Sequence, residues 1–247
     1  MLAIGAMDAA QLSIIDLNAH RCDVIYESNV IDTVGITTVC FSDDETSVYC
    51  GLKDGRVMEL RLEDGPDIAT FFDGRHSARI TSIAPYGKSG CVSGAGDGSV
   101  SLWEKGRLVS NGLGIENETS KGVWIRGLDT HRGAIVYGLF GMPADGNRIF
   151  HLSKDKRKRG FYGHTFSMHD VKFIEDGETL VSLGGDRELK IWNTDNFEQR
   201  LAIRESEIFS CLAVSPDESM IAAGTREGPV FLYHAPHEEL PMQPKAD

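Results

Sequence analysis

The stretch GHTFSMHDVKFIEDGETLVSLGGDRELKIW, Gly163 to Trp192, decides how this chain folds. It holds three short runs with strand-like apolar spacing: Met168, Val171 and Phe173; Leu180 to Leu183; Leu189 and Ile191. Between them stand turn residues, Glu-Asp-Gly at 175–177 and Gly-Gly-Asp at 184–186. Alternation puts one side of each run on a core, and Gly and Asp accept the backbone angles of tight turns. No run is long enough for an amphipathic helix of ordinary length. The stretch predicts a small β-meander.

The same unit returns along the chain. Upstream it reads HSARITSIAPYGKSGCVSGAGDGSVSLW (His76 to Trp103), and downstream ESEIFSCLAVSPDESMIAAGTREGPVFLY (Glu205 to Tyr233). A looser copy is ITTVCFSDDETSVYCGLKDGRVMELRL (Ile36 to Leu62), and the chain opens inside a repeat with LAIGAMDAAQLSIIDL. The acidic residue of the last tight turn falls at Asp8, Asp54, Asp97, Asp186 and Glu227, in steps of 46, 43, 89 and 41 residues. The long step is two periods, and a degenerate copy stands inside it as KGVWIRGLDTHRGAIVYGLFGMPADGNRIFHL, Lys121 to Leu152. A repeat of about 44 residues built from short strands is the mark of a β-propeller blade, whose faces are buried only against neighbouring blades.

The residues also resemble a family. Gly163-His164, LVSLGGD at 180–186 and Ile191-Trp192 are similar to the WD-repeat family, with Asn193 where that family usually has Asp. The resemblance implies a hydrogen-bonded tetrad locking each blade, made of a His, a Ser or Thr, an Asp and a Trp. By spacing it falls on His164, Ser182, Asp186 and Trp192 in one copy and on His76, Ser93, Asp97 and Trp103 in another. A buried Asp needs donors, and an imidazole, a hydroxyl and an indole N–H can satisfy it and one another. The other copies lack the set: Asp32, Thr119 and Glu205 stand at the His position, and Leu60 and Tyr233 at the Trp position. Those blades are expected to rest on apolar packing.

The expected fold is therefore all-β, a WD-repeat-type β-propeller with about five and a half recognisable blades. It forms a single domain over 1–233, with copies near 1–17, 32–62, 76–103, 119–152, 163–192 and 205–233, followed by a polar tail at 234–247. The first copy is expected to keep only its last two hairpin strands. Seven blades are common in the resembling family, so an incomplete seven-bladed ring with an N-terminal portion missing is the favoured expectation; a tight six-bladed ring with a thin first blade and a gap filled by a partner strand are the alternatives.

Composition narrows the function. The net charge of −12 argues against nucleic acid as the main partner, since phosphate binding needs a basic footprint. No apolar run reaches the length of a membrane span, and the opening apolar residues lack a basic leader. Cys22, Cys40, Cys50, Cys91 and Cys211 form no paired spacing and read as small hydrophobes in a reducing, cytoplasmic setting. The basic run Lys154 to Arg159 reads as a solvated outer loop that would also suit nuclear import. GAGDGS, Gly94 to Ser99, lies in a hairpin without the following helix that a phosphate-cradling loop needs. No metal or cofactor set is found: His234 and His237 lack further ligands. Two Ser/His/Asp sets at equivalent positions suit repeated blades better than one catalytic centre, and neither a GxSxG nor a carboxylate pair stands out.

Non-catalytic propellers act as rigid platforms, and the resemblance implies that partners meet the narrow top face. That face carries the residues before the turn acid and those heading the innermost strand. The first set includes Met7, Lys53 and Arg226; the second includes Thr33, Arg79, Thr165 and Ser167. Lys53, Arg79 and Arg226 would set positive charge at the channel mouth of an acidic protein, with the hydroxyls of Thr165 and Ser167 between them. The expected activity is a protein-interaction scaffold or adaptor taking an acidic or phosphorylated peptide, with arginine forking a carboxylate or phosphate. The alternative is the regulatory or sensory propeller of a longer multidomain protein.

Overall fold

The computed structural model describes residues 2–5, 12–19, 21–28, 34–64, 69–113, 122–141 and 148–235. They form an all-β structure of successive antiparallel sheets, each built from consecutive strands. The first sheet is β1 (Leu2–Gly5), β2 (Leu12–Ala19) and β3 (Arg21–Ser28). The second is β4 (Ile36–Phe41), β5 (Ser47–Leu52), β6 (Val57–Arg61) and β7 (Ala69–Phe71). The third is β8 (Ile80–Pro85), β9 (Gly90–Ala95), β10 (Val100–Glu104) and β11 (Arg107–Ser110). The fourth comprises β12 (Trp124–His131), β13 (Ala134–Phe140), β14 (Arg148–Leu152) and β15 (Lys158–Tyr162). The fifth comprises β16 (Met168–Ile174), β17 (Thr179–Gly184), β18 (Glu188–Asn193) and β19 (Gln199–Arg204). The sixth holds β20 (Phe209–Val214), β21 (Met220–Thr225) and β22 (Val230–His234). Four-stranded meanders repeated in this way are the blades of a WD-type β-propeller.

Each pair of neighbouring sheets shares its own apolar core. Leu12 and Ile14 of the first sheet meet Ile36, Cys50 and Leu52 of the second. Tyr49 and Val57, on the other face of the second, meet Ile80, Cys91 and Trp103 of the third. Val92 and Val100 then meet Ile125 and Tyr137, Val136 and Ile149 meet Met168 and Val171, and Val181 and Leu189 meet Phe209 and Ile221. A strand with a neighbour on both faces reads as a continuous buried run, and β5, β9 and β17 are buried at every residue. The glycines of the second strands make the stacking close. A Cβ on Gly51 would come within 2.5 Å of the Ile80 side chain, and one on Gly94 would run into Ile125.

The innermost strands carry a shared irregularity. Each of β4, β8, β12, β16 and β20 slips register by one residue near its start. A bulge of this kind re-aims the side chain at the slip and sharpens the twist. In β12 it is taken by Gly127 at φ +67°, where a Cβ would sit 2.6 Å from the Asp170 backbone of the next blade. Below the bulge, carboxylates stitch blade to blade: the Phe173 amide donates to Asp129 Oδ2 at 2.9 Å, and the Leu212 amide to Asp170 Oδ2 at 2.9 Å.

The ends differ from expectation. Among the described residues the opening sheet has three strands, with β3 in addition to the hairpin pair expected there. The sixth sheet holds three strands among the described residues. Its outward face is bare: Val230 and Leu232 are 63% and 65% exposed, whereas Leu189 and Ile191, at the same repeat positions one blade earlier, are 0% and 3% exposed. Asp8, Met7, Asp32, Thr33, Thr119 and His237 lie outside the described residues.

Candidate functional site

The two predicted polar sets differ in detail. In the fifth blade the donors run in one direction. Trp192 Nε1–H donates to Ser182 Oγ at 2.8 Å, the Ser182 hydroxyl to His164 Nε2 at 2.8 Å, and His164 Nδ1–H to Asp186 Oδ1 at 2.9 Å. The Thr165 amide donates to the other carboxylate oxygen at 2.8 Å. Burial alone would raise the Asp186 carboxyl; the hydrogen bonds from His164 and the Thr165 amide outweigh it and lower it to about 2. In the third blade Ser99 is interposed. Trp103 and His76 both bond Ser93 Oγ at 2.7 Å, but His76 Nδ1 donates to Ser99 Oγ, which in turn donates to Asp97. The fifth blade has Glu188 where the third has Ser99, so there the imidazole reaches the aspartate directly.

The sixth blade, expected to rest on apolar packing alone, has a polar clasp of its own. The Tyr233 hydroxyl donates to Glu205 Oε1 at 2.9 Å, across the positions that Trp and His hold elsewhere. Burial, then this bond, push the phenol above its ordinary range.

At the top of the innermost strands, Arg79 precedes β8 and its guanidinium lies over the Trp124 ring, 4.7 Å from the centroid. Trp124 stacks on Phe140 at 5.9 Å, and Arg126 lies over Phe140 at 5.2 Å. Arg79, Trp124 and Arg126 line a cavity of about 230 Å³ with Thr37, Ile80, Thr81 and Ile125. Burial, then the charge of Arg226, lower the Arg126 pKa, while Asp170 acts the other way. Among the described residues none of Arg79, Arg126 and Arg226 forms an ion pair with a carboxylate.

Of the residues singled out in sequence, the structure brings Arg79 and Arg226 to the surroundings of Arg126. Lys53 is exposed on the turn after β5. The Thr165 hydroxyl donates to Asp186 at 3.2 Å and the Ser167 hydroxyl to the Gly141 carbonyl at 3.1 Å, so both are engaged in the blade frame. Arg126 and Trp124 were not foreseen. The run Lys154 to Arg159 is exposed at the edge of the fourth blade, with Lys158 over Phe150 at 4.9 Å and Arg159 over Phe197 at 4.7 Å. Among the described residues no His/Cys/Asp/Glu group could hold a metal ion, and no helix is long and apolar enough to cross a membrane.

Comparison with known proteins agrees with this architecture. The family model "WD domain, G-beta repeat" matches residues 67–104 and 154–193, the segments that carry the two polar sets. The chain is 23% identical over 217 residues to Transcription factor unc-37 of Caenorhabditis elegans, covering 85% of this chain and 34% of that protein. It is 30% identical over 71 residues to the tRNA (guanine-N(7)-)-methyltransferase non-catalytic subunit wdr4 of Dictyostelium discoideum, covering 28% of this chain and 15% of the other. It is 28% identical over 78 residues to Cross-pathway control WD-repeat protein 2 of Flammulina velutipes, 32% of this chain and 25% of that one. The matched chain thus spans about a third or less of the length of these relatives. With repeated four-stranded blades, two His–Ser–Trp-linked sets and the matching family model, the chain carries WD repeats at residues 67–104 and 154–193 within a propeller-type architecture.

Proposed function

We propose that the protein is a non-catalytic interaction scaffold that takes an acidic or phosphorylated segment of a protein partner on the top face of its propeller. The observation that carries this reading is the group Arg79, Arg126 and Arg226, unpaired with carboxylates among the described residues of a chain with net charge −12. Like charges held together raise the free energy of the empty site, and an anionic partner relieves it. Being described as a non-catalytic subunit, the wdr4 relative supports an adaptor role. The charge-reversal pair Arg79→Glu with Arg226→Glu tests the reading on an array of Glu-rich and phosphorylated peptides. The native chain binds acidic peptides and the pair does not; equal binding by the two refutes it.

A second reading, the regulatory propeller of a longer multidomain protein, draws on the greater length of the relatives. The length of the native transcript decides between them.

A further inference from the structure

The bulged innermost strands align residue by residue: Ile36-Thr37, Ile80-Thr81, Ile125-Arg126, Met168-His169 and Phe209-Ser210. The second member of each pair follows the same buried apolar residue; in four strands it is the bulge residue, whereas Arg126 pairs with Gly138 and the bulge falls one residue later, at Gly127. Four of the five use their polar group on the frame. Thr37 donates to the Gly51 carbonyl, Thr81 to those of Gly94 and Ile125, Ser210 to that of Gly224, and His169 Nδ1 to that of Phe209. The guanidinium of Arg126, the fifth, makes no hydrogen bond or ion pair among the described residues and lies over the face of Phe140. Asp170, the carboxylate that attracts it, is already engaged, its oxygens accepting the Val171 and Leu212 amides at 2.9 Å.

Aromatic stacking holds a guanidinium by its face and leaves the N–H edge free, the geometry that forks an oxyanion bidentately. Here two such guanidiniums, Arg79 and Arg126, flank the Trp124–Phe140 stack beside one cavity, with Arg226 adding a third positive charge. A volume of about 230 Å³ is below the roughly 300–1,000 Å³ of sites for whole small molecules and suits the end of one side chain. Among the described residues, Arg79, Arg126 and Arg226 share one already engaged carboxylate, Asp170, and this excess of positive charge calls for more than a single negative charge. A phosphoryl group supplies about −1.5 to −2 and three strong acceptor oxygens, where a Glu side chain supplies one charge.

Resting on the interaction-scaffold reading, we infer that the cavity between the third and fourth blades is a subsite for a phosphorylated serine or threonine side chain. Arg126 forks the phosphoryl group, Arg79 closes over it, and Trp124 packs against the adjoining peptide. The chain thereby distinguishes a phosphorylated partner from a merely acidic one.

The test uses the full chain and fluorescent five-residue peptides with degenerate flanks and a central phosphoserine, Glu or Ser, read by anisotropy. Phosphoserine peptides bind at least tenfold more tightly than Glu peptides, and Arg126→Gln removes that advantage with an unchanged melting curve. Arg126→Lys keeps the charge but not the fork and loses most of the preference. Trp103 and Trp192 are buried in their blades, so a fluorescence change on phosphopeptide binding that disappears in Trp124→Phe locates the ligand. Inorganic phosphate and free O-phosphoserine compete only weakly; if either equals the peptides, the site takes a small anion and the inference falls. It also falls if Glu and phosphoserine peptides bind alike, or if Arg126→Gln binds phosphopeptide normally. In those cases, loss of acidic-peptide binding in the Arg79→Glu, Arg226→Glu pair leaves the scaffold reading standing. Failure of every peptide to bind overturns both.

Discussion

Replacing Asp186 by Ala removes the acceptor at the end of a donor chain. His164 Nδ1–H and the Thr165 amide, 2.9 and 2.8 Å from the carboxylate, lose their partner. The imidazole is enclosed, its side chain 0% exposed against 3% for Asp186, so water cannot replace the lost bond without opening the blade. Leaving one buried donor unsatisfied costs about 1–3 kcal/mol. The carboxyl itself gives a second route to the size of the effect. Its pKa falls from 3.8 to about 2 on folding, a shift worth about 2 kcal/mol at roughly 1.4 kcal/mol per unit. Because the folded value is the lower one, this stability is fully present above pH 4 and is lost as pH falls from about 4 towards 2. The two routes agree on about 2 kcal/mol, or roughly 4–8 °C in melting temperature for a chain of this size. Urea titration at pH 7 and at pH 3 measures both: Asp186→Ala loses most at pH 7, and its deficit narrows as the native carboxyl protonates. Glu227, exposed and outside any polar set, serves as the control, and Glu227→Ala costs under about 0.5 kcal/mol. Equal losses at the two positions would show that the repeat register, and the donor chain resting on it, is wrong.

Three further outcomes follow from the same blades. Leu189 and Val230 share a repeat position but differ in burial, so Leu189→Ala costs about 2–5 kcal/mol by urea titration and Val230→Ala under about 0.5 kcal/mol. The double change Val230→Ser with Leu232→Ser lowers dye binding to exposed apolar surface and slows aggregation on heating, since it removes two bare hydrophobes from the outward face of the sixth sheet. Amide exchange, read by mass spectrometry, runs faster in β22 than in β18, which has ladder partners on both sides; Tyr233→Phe, which cuts the Glu205 clasp, widens the gap.

The fold was legible because a blade repeats its turn chemistry. The acidic turn residues at Asp54, Asp97, Asp186 and Glu227 mark the hairpin between the second and third strands of four of the sheets, and their spacing alone gives the period. Outer strands were harder to read. RCDVIYES, which forms β3, follows the marker turn by more than ten residues and repeats no motif of the other copies. Such strands need little sequence signal, since they pair on one side only and pack lightly. The Glu205–Tyr233 clasp escaped for a related reason. Substituting both ends of a hydrogen-bonded pair at once erases the motif but preserves the bond, and a search for the motif finds only its loss.

The arginine site shows what a repeat conceals and how it can be recovered. Arg79 and Arg226 were found by counting from the turn acid and the strand head, positions that keep a constant offset in every blade. Arg126 lies within β12 and beside a bulge, where the fourth copy pairs one residue out of step with the others because Gly127 takes the slip. Once the inner strands are aligned by the buried apolar residue that precedes the bulge (Ile36, Ile80, Ile125, Met168 and Phe209) rather than by their turns, Arg126 follows that residue where the other blades have Thr, Thr, His and Ser, each bonded to a neighbouring carbonyl. A column of side chains that all close bonds within the frame is a structural position. A long cation in that column that closes none adds nothing to the frame and still bears the cost of partial burial among like charges. On the reading proposed above the compensating charge comes from a bound phosphorylated segment, and Arg126 is then the residue on which that segment's chemistry is best read.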